Sequence, residues 1–259
     1  MHNEIQNGRL DIAINQGIAM LSFAHPAQNA LPASLLSALC NAVESLGRDA
    51  AVKVIVLKSE GERTFCAGAR FEALSALEDF EQSLEFFSGF ARVINAMRKC
   101  PKFIIGRVQG KAVGGGVGLA AATDYCLATD GAAIKLSELA VGFGPFVVGP
   151  AIERKIGPSA MSQLAIDAVS WRSARWAMEK GLYAAVYDSI PELDAAVETL
   201  AGQLAASSPE AMYALKLVCW QGTEHWDELL AERAAISARL ALSPFAKTAI
   251  ATFKNGQKR

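Results

Sequence analysis

Residues Val108–Tyr125 read VQGKAVGGGVGLAAATDY. The run closes an apolar segment, passes through Gly114-Gly115-Gly116 and continues in small residues until Asp124. Gly115–Thr123 therefore fits only a close-packed helix, because its glycines and alanines let the backbone approach whatever it faces. The most apolar part, Val113–Ala122, covers about half a bilayer span and reads as a buried core segment, not as a membrane helix. No GxxxxGK[ST] is present, which excludes a P-loop, and no GxGxxG follows the first strand, which excludes a Rossmann unit.

Outward from this stretch, short strands alternate with helices. Lys102–Val108 reads as a buried strand between Pro101 and Gly110, and Phe80–Arg98 as a helix by the spacing of Phe86, Phe90, Val93, Ile94 and Met97. Earlier, Leu10–Asn15 and Ile18–Phe23 flank Asn15-Gln16-Gly17 as a hairpin. Leu35, Leu36, Leu39, Val43 and Leu46 then recur at helical spacing, and the strand Val52–Leu57 leads into a loop over Ser59–Ala69. Downstream, Asp124–Ala128 and Ala133–Leu136 read as short strands. From about Pro158 the chain becomes helical, through Ser159–Val169, Ser173–Lys180, Leu193–Ala206, Pro209–Trp220 and His225–Leu242, with no strand expected among them. The sum is a mixed α/β fold of repeated ββα units with a helical C-terminal region. In that region Trp220 and Trp226 either anchor a partner or fill the core.

The composition excludes several classes. At 259 residues and 52% hydrophobic, the chain can bury a large core and needs no disulfide staple. Lys+Arg 25 against Asp+Glu 26, without a basic run, offers nothing to a nucleic acid or an anionic membrane surface. The 5 cysteines, Cys40, Cys66, Cys100, Cys126 and Cys219, are widely spaced and suit a reducing compartment. His2, His25 and His225 are scattered singly, so no metal site is expected. The N-terminus MHNEIQNG resembles neither a signal nor a transit peptide, so the expected location is cytoplasmic with Met1 as the start.

Chemistry concentrates in two loops and one acid. FCAGAR (Phe65–Arg70) and the glycine stretch each carry a strand into a helix through small residues. The first N–H groups of a helix lack acceptors and carry partial positive charge, so two such ends facing one another would hold an oxyanion. Cys66 has no neighbouring histidine to make it a thiolate and reads as packing. Lys111 reads as exposed and His225 as structural.

FCAGAR, VQGKAVGGGVGLAAATDY, IKLSELAVGFGPF (Ile134–Phe146) and the following ERKIG stand in the order and spacing of the enoyl-CoA hydratase/isomerase (crotonase) superfamily, which the chain resembles from about Leu10 to Phe253. The resemblance implies a spiral of ββα units over residues 1–195 as the acyl-CoA-binding core. Residues 196–259 would form a helical trimerisation region, giving a homotrimer or a dimer of trimers. It further implies a coenzyme A thioester whose carbonyl is held by the N–H groups of Ala69 and Gly115. Ala67 and Ala69 would make backbone contacts to coenzyme A, with Arg70 as a phosphate contact and Phe253 as a contact from the tail. Coenzyme A enters only as part of the substrate, and no metal or redox cofactor is implied.

Many hydratases of this family carry two glutamates, one six residues before the aspartate of the glycine-loop helix and one in the segment matching Leu136-Ser137-Glu138. Here the first place is Gly118, and only Glu138 remains. Single-glutamate relatives are the Δ3-Δ2-enoyl-CoA isomerases, and shifting a double bond needs one base that carries a proton between C2 and C4. A second carboxylate could come from Glu72, Glu78, Asp79, Glu81 or Glu85. Arg70 stands where the family usually shows aspartate, which reads as a changed salt bridge or as the phosphate contact. Three readings result: hydration of a 2-enoyl-CoA, a Δ3-Δ2 shift, or a catalytically reduced acyl-CoA-binding or scaffold protein.

Overall fold

The apolar runs pair into two sheets. In a computed structural model, which describes residues 8–256, β1 (Arg9–Asn15) and β2 (Ile18–Ala24) form an antiparallel hairpin turning at Gln16-Gly17. There follow α1 (Ala33–Arg48), β3 (Val54–Ser59), β4 (Thr64–Cys66), α2 (Phe71–Ser75) and α3 (Phe80–Lys99). The glycine stretch supplies the end of β5 (Phe103–Val108), β6 (Lys111–Val113) and α4 (Gly115–Ala122). Next come β7 (Tyr125–Thr129), β8 (Ile134–Lys135), a 3-10 turn over Leu139–Val141, α5 (Gly149–Ile166) and α6 (Ala174–Glu179). The chain then runs through β9 (Ala185–Tyr187), α7 (Ile190–Ala205), α8 (Pro209–Cys219), α9 (Trp226–Ala241) and α10 (Pro244–Gly256).

The ββα repeat has a simple spatial meaning. Both strands of the first unit enter a six-stranded sheet of order β1-β2-β3-β5-β7-β9, and in the pairs β3/β4, β5/β6 and β7/β8 the first strand joins that sheet while the second joins a three-stranded sheet β4-β6-β8. All pairings beyond the β1–β2 hairpin are parallel. A parallel sheet must be covered on both faces, and the alternation along β3 does this. Ile55 and Leu57 face the main core with α1 and α3. Val54 and Val56 face a second cluster, closed by Leu193, Val197 and Ala201 of α7. Residue 195, after which the sequence suggests a change from core to helical region, lies inside α7.

The expectation of no strand after Pro158 is corrected by β9, which pairs Leu127 with Ala185 and Thr129 with Tyr187. Three half-buried residues carry too little pattern to be seen in sequence; only the β7 edge makes them a strand. The same holds for β4 and β6, hidden in expected loops. The helix expected from Ser159 starts just after Gly157, where φ is 75° and the helical path breaks, but the sequence reading missed the helical residues 149–156 that precede it. Trp220 and Trp226 are core, stacked edge to face at 5.9 Å.

The end of the glycine stretch is pinned by a buried ionic knot. Asp124 accepts hydrogen bonds from Ile104 N–H at 2.7 Å, Trp220 Nε1 at 2.6 Å and Lys216 Nζ at 2.8 Å. The Lys216 ammonium also donates to the carbonyls of Met97 and Lys102. One cation on α8 thus ties the ends of α3, β5 and α4 together. Removing one partner of a buried pair leaves the other uncompensated. Lys216→Met is expected to cost about 3 kcal/mol, the low end of the usual range because Asp124 keeps two other donors. A loss below about 1 kcal/mol in urea denaturation would mean that the pair contributes no more than an exposed one.

Candidate active site

The loop after β4, the N-terminus of α4 and the 3-10 turn after β8 meet around one narrow cavity, lined by Ala67, Gly68, Ala69, Val113, Gly114, Gly115, Ser137 and Glu138 among others. The two loops touch because no Cβ intervenes: one built on Gly116 would lie 2.4 Å from the Cys66 carbonyl oxygen. Leu31 N–H donates to the Gly68 carbonyl and holds the first loop against the chain after β2. Among the described residues, the N–H groups of Ala69 and Gly115 donate to no acceptor. Both line the cavity, so the two donors expected from the sequence lie in one wall.

Glu138 enters from the third side. Gly114 N–H donates to the Lys135 carbonyl at 2.9 Å, binding the glycine loop to β8 and bringing the following Leu136-Ser137-Glu138 against it. Gly114 has φ 51°, and a Cβ there would sit 2.7 Å from Glu138 Oε1, so the glycine supplies both the turn and the room for the carboxyl. The carboxyl is buried, with Oε2 unpartnered among the described residues. Burial pushes its pKa up to about 7, against the opposing pull of the Glu138 and Ser137 backbone N–H groups.

The second carboxylate is not found. Glu138 is the one acid lining the cavity among the described residues. Asp79 caps α3 by accepting from Gln82 N–H, and Glu85 pairs with Arg92. At Gly118 a Cβ would come 2.5 Å from Val148 Cγ1, and Val148 itself lines the cavity. An apolar side chain thus fills the space toward which any larger residue at Gly118 would point.

The enoyl-CoA hydratase/isomerase family model matches residues 13–256. The chain belongs to that family. Among similar proteins, the mitochondrial methylglutaconyl-CoA hydratase of Mus musculus is 33% identical over 81% of this chain and 68% of its own length. The peroxisomal Delta(3,5)-Delta(2,4)-dienoyl-CoA isomerase of Arabidopsis thaliana is 29% identical, over 76% and 74%. A crystal structure of an enoyl-CoA hydratase from Mycobacterium avium superposes with TM-score 0.83 at 26% identity, covering 95% of this chain and 96% of the other. The family acts on acyl-CoA substrates through hydratases and isomerases alike.

The other residues singled out in this family member sort plainly. Ala67 N–H already donates to the Gln28 carbonyl, so a ligand contact there falls to its own carbonyl. Arg70 pairs with Glu72 at 3.3 Å, the changed salt bridge. The side chain of Phe253 lies outside the described residues. Burial raises the Cys66 thiol to about 12, which suits packing and not nucleophilic chemistry. Lys111 and Lys135 stack over the Trp171 ring. Phe87 and Phe90 lie in the Phe71–Phe90 helical segments that the family resemblance makes the pocket wall, whereas Val148 before α5 and Ser237 of α9 were missed by the sequence reading, because no local motif marks them.

A carboxyl whose pKa rises on folding costs stability as it ionises. The folded protein keeps the Glu138 proton up to about pH 7, while the unfolded chain loses it near 4.5. Between these values the folded state binds more protons, so this group lowers stability as pH rises. The penalty reaches on the order of 3 kcal/mol above pH 7. Glu138→Gln should therefore gain stability relative to wild type between pH 5 and pH 8 in urea denaturation. A difference that does not change with pH would show that the carboxyl ionises normally in the fold.

Proposed function

We propose that this family member shifts the double bond of an acyl-CoA between the 3 and 2 positions, with Glu138 as the only acid and base. The observation that carries this reading is a lone buried carboxyl, facing two unengaged N–H groups across a cavity with no second acid among the described residues. The thioester oxygen accepts from Ala69 and Gly115 N–H. Glu138 as carboxylate takes a proton from C2, the electron pair spreads through the enolate toward C4, and the same group returns the proton at C4, leaving the conjugated 2-enoyl thioester. A pKa near 7 lets one carboxyl serve in both directions at neutral pH. Hydration is the second reading, favoured by the hydratase among the similar proteins; it requires water guided by Glu138 alone.

The proposal extends to assembly. Leu215, Leu217 and Val218 of α8 are exposed apolar side chains and would be covered in a homotrimer or a dimer of trimers. Arg70, beside the first loop, remains the proposed phosphate contact for coenzyme A. No helix among the described residues is long and apolar enough to cross a membrane.

Incubation with a 3-enoyl-CoA is expected to raise conjugated thioester absorbance without a mass change. Glu138→Gln should lower kcat by at least about 10²–10⁴ while the fold persists. Loss of absorbance from the trans-2-enoyl isomer, with gain of one water mass, would instead make the chain a hydratase. Binding without turnover of either isomer would make it an acyl-CoA-binding protein.

A further inference from the structure

The cavity beside Glu138 is walled by rings. Phe86 packs edge to face on Phe87 and Phe90, at 5.4 and 6.0 Å, and Phe87 does the same on Phe143 at 5.4 Å. Phe87, Phe90, Phe143 and Phe146 line the cavity, with Val148 beside them. Phe90 presses on the donor end of α4, since a Cβ on Gly115 would lie 2.2 Å from its Cε1. The polar side chains of the wall are Ser137, Glu138 and Ser237, and the Ser237 hydroxyl already donates to the Arg233 carbonyl. Among the described side chains no Lys, Arg or His lines it.

Two consequences follow for an acyl group placed there. The room is about 70 Å³, against about 380 Å³ for the groove between Phe103 and Trp220 elsewhere on the molecule. A carboxylate at the far end of the acyl chain would also lose its water and meet no cation, and the one ionisable wall group, Glu138, has the same sign. We propose that the acyl group this site accepts is short, apolar and uncharged, and that thioesters bearing a second carboxylate are refused. The inference rests on the reading of this cavity as the acyl end of a coenzyme A site, and it is independent of which reaction follows.

Saturated thioesters separate binding from turnover, because they have no double bond to move or hydrate. The whole chain would be titrated calorimetrically with butyryl-CoA, glutaryl-CoA, decanoyl-CoA and free coenzyme A. Butyryl-CoA is expected to bind at least about 100-fold more tightly than glutaryl-CoA, given an unpaired buried charge. Decanoyl-CoA is expected to bind no more tightly than butyryl-CoA, since its extra methylenes find no room to bury. Equal affinity for butyryl- and glutaryl-CoA overturns the charge selection, and decanoyl-CoA binding more than about tenfold tighter overturns the size selection. If no thioester binds better than free coenzyme A, both the inference and the reading of the cavity fall. If the butyryl preference holds while no enoyl-CoA is converted, the inference stands and only the proposed reaction falls.

Discussion

The site depends on how closely the N-terminus of α4 lies against the loop after β4. Gly116 rests on the Cys66 carbonyl and Gly115 on the Phe90 ring, at separations that no Cβ could share. That contact turns two separate helix starts into one wall with two unengaged N–H groups. It holds only if both ends of the stretch are fixed. At one end Gly114 N–H is tied to β8, and at the other the Asp124 carboxylate is held by Lys216, Trp220 and the Ile104 backbone. A helix from the C-terminal region therefore anchors the glycine stretch without lining the cavity.

The buried acid carries an energetic cost. Glu138 is surrounded by apolar side chains with one oxygen unpartnered, an arrangement that disfavours its charged form. A carboxyl poised near neutrality exchanges protons with a carbon acid far better than one ionised at pH 4.5. The packed core around it supplies the stability that this one residue removes.

Gly118 and Val148 illustrate how a departure in sequence acquires meaning. Alone, Gly118 says only that no acid stands there. With Val148 packed against it, the position is filled, and any side chain placed there would meet an apolar group. Ser237 of α9 lines the cavity and Lys216 of α8 holds Asp124, so the helical region takes part in building the site's surroundings.

Sequence alone determined the ββα alternation, because β-branched runs, helical periodicity and glycine breaks are local signals. It also pointed to Ala69, Gly115 and Glu138, through the resemblance of its motifs to the family and by no local pattern alone. The short strands β4, β6 and β9 were beyond it, since two or three residues carry no period and become strands only through their partners. Of the cavity wall, the resemblance indicated the Phe71–Phe90 helices but not their orientation, and Val148 and Ser237 look in sequence like any core or helix residue until packing brings them beside Glu138. Local patterns thus decided the elements and motif resemblance the candidate groups, while tertiary packing decided the burial, the room and the charge around them, because these depend on residues far apart in the chain.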